Sequence, residues 1–250
     1  MGVALMRQIR ALAGLAAFVI MAGLWYYLPK HSLIARRVLA WTWSTLLGGF
    51  GITVRQQGLV CTEAGTLFVA NHISWADIPV LAGLLDANFV AKGEVGTWPV
   101  IGPLARHHGC IFIDRARRST VTVQAQTIRQ ALDAGQAVIL FPEGTTSDGT
   151  GVLPFKSSLM PDAGDQGTIR VQSVTLRYRH RDGSPRDKAA LRQVAWLDDD
   201  ELLSHALALA TSGGALVEVC FGPPILAANR KQAAQLSHAA ILQQLLEENA

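Results

Sequence analysis

The chain has 250 residues, half of them hydrophobic and only 16% charged, with a formal net charge of +3 and a mean hydropathy of +0.25. That length suits one sizeable α/β domain with an appendage, and the composition is too mild for a transporter of many spans. The charge is unevenly placed: no acidic residue precedes Glu63, whereas Arg7, Arg10, Lys30, Arg36, Arg37 and Arg55 are all basic. These charges flank apolar runs instead of forming a polar stripe, which argues for an anionic membrane surface and against nucleic acid.

In chain order, residues 11–29 carry no charge and as a helix would be about 28 Å long, close to the thickness of a bilayer's hydrocarbon core. Trp25, Tyr26 and Tyr27 stand where a signal peptide would need small residues, and they suit a membrane–water interface. A second apolar stretch, 38–52, is short for a span and ends among glycines. Two spans would put the basic cluster 30–37 outside, against the positive-inside tendency. The expectation is one spanning helix or two helices half-buried in one leaflet. Residues 1–50 are thus expected to anchor and 51–250 to fold as an α/β domain.

From residue 51 onward strand-like runs alternate with helical patterns. Strands are predicted at 52–56, 66–70, 89–91, 109–113, 137–141, 171–178 and 216–221. Helices are predicted at 76–85, near 98–107, and at 120–134, 198–211 and 229–248. This alternation predicts a mixed, largely parallel sheet flanked by helices. Residues 145–167, rich in Gly, Ser, Thr and Asp, read as a long functional loop. Cys61, Cys110 and Cys220 are far apart, lack metal-ligand spacing and read as reduced thiols.

Three blocks carry chemistry, each at a strand's end, where open α/β sheets bind ligands. The first is Asn71-His72-Ile73-Ser74-Trp75-Ala76-Asp77. A histidine and an aspartate five apart point 140° away from each other on one helix, but a turn between them lets the carboxylate reach the imidazole. That pair is the base half of a triad without its nucleophile, so the nucleophile would come from a substrate alcohol. Ser74-x-x-Asp77 reads equally as a helix N-cap with an acidic first turn. The second block, Phe112-Ile113-Asp114-Arg115, ends a buried strand in an acid and an arginine fitted to pair a phosphate. The third, Phe141-Pro142-Glu143-Gly144-Thr145-Thr146-Ser147, delivers a glutamate into a loop of backbone and hydroxyl donors.

In this order, behind an apolar N-terminus, the blocks resemble the glycerolipid acyltransferase family over about residues 51–222. The resemblance implies that His72 is the general base for an acceptor hydroxyl and that Asp77 orients it. Asp114, Arg115, Glu143, Gly144, Thr145, Thr146 and Lys92 fall at positions implied to bind or line the acceptor. No metal or cofactor is implied; acyl-CoA or acyl-carrier protein is the co-substrate, a lysolipid the acceptor, and the cytoplasmic face of a bacterial-type inner membrane the location. The first expectation is the type activity, acylation of 1-acyl-sn-glycerol-3-phosphate to phosphatidic acid, with lyso-ornithine lipid as the alternative acceptor. Members with that activity usually carry an arginine where this chain has Thr146, and the form here looks like relatives that acylate lyso-ornithine lipid, with Lys156 nearby as a replacement cation. The family usually has a proline where Gln172 stands. Two other classes remain open at this stage: a metal-dependent hydrolase using His72, Asp77, His107 and His108, and a non-catalytic membrane adaptor.

Overall fold

The computed structural model describes residues 2–29, 32–113, 120–164, 167–197 and 200–247. Two helices open the chain, α1 (Gly2–Tyr26) and α2 (Leu33–Gly49), followed by β1 (Ile52–Gln57), β2 (Leu67–Ala70), α3 (Asp77–Leu84), β3 (Asn88–Lys92), α4 (Ile101–His108) and β4 (Ile111–Ile113). Then come α5 (Thr120–Asp133), β5 (Val138–Leu140), β6 (Ile169–Arg179), the short α6 (Lys188–Arg192), α7 (Leu202–Thr211), β7 (Ala215–Ala227) and α8 (Arg230–Glu247). The strands form one seven-stranded sheet in the order β1-β7-β6-β2-β5-β3-β4. All neighbours are parallel except β6 and β7.

Side-chain alternation explains why the central strands are apolar throughout. Leu67 and Val69 of β2 enter one core with Val138 and Leu140 of β5, while Phe68, Ala70 and Ile139 enter the other. A parallel strand covered on both faces has no solvent side for polar residues to occupy. One core is closed by α1, α2, α3 and α7, the other by α5 and α8. The register of β7 against β6 slips by one residue near Gly222-Pro223-Pro224. That extra residue sends Val217, Val219 and Phe221 into the first core but Ala227 into the second. The buried Gln172 amide closes the gap, donating to Leu59 and Gly222 carbonyls at 2.8 and 2.7 Å and accepting from the Cys61 N–H at 2.8 Å.

The two opening helices form an antiparallel hairpin packed along the domain. Gly14 and Gly49 let them touch: a Cβ on Gly14 would lie 2.6 Å from the Gly49 Cα. Only a stripe of α1 is buried, namely Ala11, Gly14, Phe18, Ala22 and Trp25. Its other side is apolar and exposed, including Met6, Leu12, Val19 and Ile20. The basic residues of this region are less available than their placement suggests. Arg7 donates to the Thr211 carbonyl, Arg10 to the Gly49 carbonyl, and Arg36 and Arg55 pair with Asp86 and Glu218.

Candidate active site

The ends of β2, β5 and β6, three adjacent strands, bring the first and third blocks together. Asn71 extends the β2–β6 pairing past the end of β2 with its side chain, accepting from the Leu176 N–H at 2.8 Å and donating to the Leu176 carbonyl at 3.0 Å. This two-bond clip is fully buried, and it fixes the backbone that enters His72. The chain then turns through Ile73–Ala76, and α3 starts at Asp77.

The turn makes the predicted pair. His72 Nδ1 lies 2.8 Å from Asp77 Oδ2, and Asp77 is completely buried. The same oxygen accepts from the backbone N–H groups of Ile73 at 2.7 Å and Ser74 at 2.9 Å. With an acceptor carboxylate facing it, Nδ1 carries the proton and Nε2 presents its lone pair. The ring stacks on Phe141 with centroids 4.1 Å apart and keeps 15% of its side-chain surface open. Among the described residues no hydroxyl or thiol bonds to Nε2.

The N-cap expectation is corrected here. The residue before α3 is Ala76, with no side-chain cap bond, and Ser74 does not cap the helix. The motif works in reverse: Asp77 reaches back to the loop N–H groups of residues 73 and 74, so one carboxylate both shapes the turn and orients the imidazole.

A further group holds Asp77 that the sequence reading missed. The Tyr178 hydroxyl, on β6, donates to Asp77 Oδ1 at 2.6 Å. Burial, and then the adjacent Asp77 charge, hold the Tyr178 pKa well above its ordinary value, so it remains a donor. The sequence signal is slight: Tyr178 follows Val174 and Leu176 at period two on an inward-facing strand, as any core tyrosine would.

Glu143 is not an exposed ligand of the site. It is 1% exposed, and its two oxygens accept from the His72 N–H at 2.6 Å and the Leu153 N–H at 2.9 Å. Burial raises its pKa to about 7, against the lowering effect of those two bonds. Glu143 therefore ties the loop after β5 to the backbone of the histidine, and the Ser147 N–H adds a second tie to the His72 carbonyl at 2.8 Å. Gly144 has φ +75°, a conformation suited to glycine, and a Cβ there would lie 3.0 Å from Lys156 Nζ. Thr145 sits half-buried beside it. The Thr146 hydroxyl donates to the Trp196 carbonyl, and the Trp196 N–H donates to the Ile73 carbonyl at 2.9 Å.

Lys92 is exposed at the end of β3, paired in register with Ile113 at the end of β4, on the same edge of the sheet as His72. Asp114 and Arg115 lie outside the described residues. His107 and His108 do not join the site. His107 meets Trp25 edge-on at 4.7 Å and Tyr26 at a tilt at 4.4 Å, and His108 lies 3.2 Å from the Ala87 carbonyl. Among the described residues no three His, Cys, Asp or Glu side chains gather as a metal site.

Comparison with known proteins bears on this geometry. Residues 51–169, which contain all three blocks, match the family model described as Acyltransferase. A lyso-ornithine lipid O-acyltransferase from Brucella abortus (strain 2308) is 38% identical over 182 residues, covering 70% of this chain and 68% of that protein. The chain belongs to the acyltransferase family. Another relative of the acyltransferase, the lyso-ornithine lipid O-acyltransferase of Pseudomonas aeruginosa, is 36% identical over 194 residues, covering 77% of this chain and 70% of its own. A 1-acyl-sn-glycerol-3-phosphate acyltransferase from Neisseria gonorrhoeae is 40% identical over 119 residues, 48% of this chain and 46% of that one. The fold of the acyltransferase is that of the crystal structure of the 1-acyl-sn-glycerophosphate (LPA) acyltransferase PlsC from Thermotoga maritima, with TM-score 0.64, 21% identity and 98% of both chains covered.

Proposed function

We propose that the acyltransferase moves a fatty acyl group from a thioester to the hydroxyl of a lysolipid, and that the lysolipid is lyso-ornithine lipid. The observation that carries the reaction is the His72–Asp77 pair, with no hydroxyl or thiol among the described residues bonded to Nε2. The acceptor hydroxyl gives its proton to His72 Nε2 as its oxygen attacks the thioester carbonyl. The developing imidazolium is held by Asp77. Collapse of the tetrahedral intermediate breaks the C–S bond, and the thiolate leaves and takes up the proton. The products are an ester and a free thiol, from acyl-CoA or acyl-carrier protein alike.

Thr146 supports the choice of acceptor. Its hydroxyl is engaged by the Trp196 carbonyl, so the position that brings an arginine to phosphatidate-forming relatives offers no charge here. An ornithine amide presents a carboxylate and an ammonium and no phosphomonoester, and Lys156 and Lys92 supply cations for the carboxylate. A second reading, lysophosphatidate, rests on the 40% identity to the Neisseria gonorrhoeae protein over 119 residues. Asp114 and Arg115 would then meet the phosphate.

The hairpin supports a membrane-surface enzyme. Both ends of α1 touch the α/β domain, Arg7 at the Thr211 carbonyl and Tyr26 at His107. A helix of 25 residues, about 37 Å long, that meets one domain at both ends lies along it and does not run away across a bilayer. Its exposed apolar side then sits in one leaflet as a monotopic anchor. Acyl thioesters are made in the cytoplasm, so the catalytic domain faces that side of the inner membrane.

The test is acyl transfer by the purified enzyme in lipid vesicles, with acyl-CoA and acyl-carrier protein as donors and each lysolipid as acceptor. Lyso-ornithine lipid is expected to be acylated at least about 10-fold faster than lysophosphatidate, and His72→Ala to lose at least about 10²-fold. Activity surviving in His72→Ala would overturn the base, and preference for lysophosphatidate would overturn the acceptor.

A further inference from the structure

The catalytic carboxylate has a fully assigned set of donors, divided unevenly between its two oxygens. Oδ2 receives the imidazole and two loop N–H groups, whereas Oδ1 receives the Tyr178 hydroxyl at 2.6 Å. Along the inner face of β6 the neighbours of Tyr178 are apolar, Val174 and Leu176, and the Ser74 side chain stands beside its hydroxyl. A buried carboxylate oxygen without a donor there would bear a desolvation penalty, and the group would rotate or take up a proton. The phenol ring itself packs in the first core with these residues, and a phenyl ring would pack as well. The hydroxyl is therefore the part of Tyr178 that packing does not explain.

We propose that Tyr178 is a positioning residue for the acyl transfer, its hydroxyl holding Asp77 through Oδ1 so that Oδ2 stays aimed at His72. Tyr178 touches neither substrate nor the reacting atoms and acts through the aspartate. The inference rests on the reading of His72 as the base. Among the titratable groups around the pair, His205 of α7 accepts from the indole N–H of Trp75, in the turn between His72 and Asp77, at 3.1 Å. The loop after β5 contributes Glu143, and β6 contributes Tyr178, while α3 carries only Asp77 itself. Arg177 and Arg179 leave the opposite side of β6. The charges of α2, which packs on α3, are Arg36 and Arg37, and Arg36 is paired with Asp86.

The test is Tyr178→Phe, assayed for thiol release across pH with acceptor and donor varied. Losing one hydrogen bond to a buried charge is expected to lower kcat roughly 10- to 100-fold, with KM changed by less than about twofold. The less supported carboxylate would hold the imidazolium proton more tightly, so the acid limb of the kcat/KM profile moves to higher pH. In an Asp77→Ala background the same change is expected to cost less than about twofold, because the coupling partner is gone. A loss of kcat with an unmoved acid limb, or an equal loss in both backgrounds, would assign Tyr178 to packing and overturn the proposal. Wild-type kcat in Tyr178→Phe would do the same. Failure of the base reading is seen separately, as undiminished activity in His72→Ala with Tyr178 intact.

Discussion

Replacing Glu143 with glutamine removes one negative charge and almost no volume, and the structure gives both the sign and the size of the result. In the wild type, burial raises this carboxyl from an ordinary 4.5 to about 7. The native state therefore binds the proton more tightly than the unfolded chain does. The stability this group contributes is complete below pH 4.5 and is lost as pH rises through about 7, a difference on the order of 3 kcal/mol. Glutamine stays neutral and has no such decline. Its amide can give an oxygen to only one of the two N–H groups of His72 and Leu153 and turns an NH2 toward the other. At pH 5 the neutral wild-type acid shares part of that mismatch through its own O–H, so glutamine costs about 1–2 kcal/mol there. The variant is expected to be less stable than wild type at pH 5 by that amount, and to match or exceed it at pH 8. Denaturant unfolding followed by the fluorescence of the six tryptophans measures both values. Stability curves that run parallel between pH 5 and 8 would refute the reasoning. Because the His72 backbone loses half its tether, kcat is expected to fall at both pH values even where stability recovers.

Three further predictions concern the hairpin. Gly14→Val places a branched side chain where a Cβ alone would lie 2.6 Å from the Gly49 Cα; the variant is expected to lose at least about 2 kcal/mol, read as a lower Tm. Gly23→Ala, where a Cβ meets nothing within 4 Å, is expected to leave Tm unchanged or slightly raised. Ile20 is 73% exposed on α1, so Ile20→Asp should change stability by less than about 0.5 kcal/mol yet reduce co-sedimentation with anionic vesicles about 10-fold. Undiminished vesicle binding would remove α1 from the membrane contact.

The central strands were legible because burial on both faces forces unbroken apolar runs, as in residues 66–70 and 137–141. The edges were harder to read. β7 continues through Pro223 and Pro224 to Ala227, where proline argues for an end; a bulge frees it from the ladder there. The five residues of α6 are too few to show a helical period, and α7 begins at Leu202, later than the predicted 198. In the site, His72 and Asp77 are joined over five residues and could be inferred from a turn. Ser74 was misassigned because Ser-x-x-Asp encodes two local solutions, a serine capping forward and an aspartate reaching back. Tyr178 escaped for a different reason, as did the partner of Thr146: the two bonds span 101 and 50 residues, and nothing local marks either pairing. Glu143 stood out in the sequence at the end of an apolar strand, but only the structure shows its carboxylate directed to backbone N–H groups.

The place of β2 in the sheet has a consequence for how the molecule comes into being. This strand, which carries the histidine at its end, is flanked by β5 and β6, whose paired residues lie about 70 to 105 positions later in the chain. During synthesis it must wait with both edges unpaired until those strands emerge. Its four residues are all apolar and buried in the finished fold, so the waiting segment is a natural point for misassociation. The α1–α2 hairpin, by contrast, closes through contacts between close neighbours and is available from the start. An order of events is built into the topology: the apolar hairpin forms first, the sheet is completed around its central strand much later, and catalytic competence arrives only with β6, the strand that brings Leu176 to Asn71 and Tyr178 to Asp77.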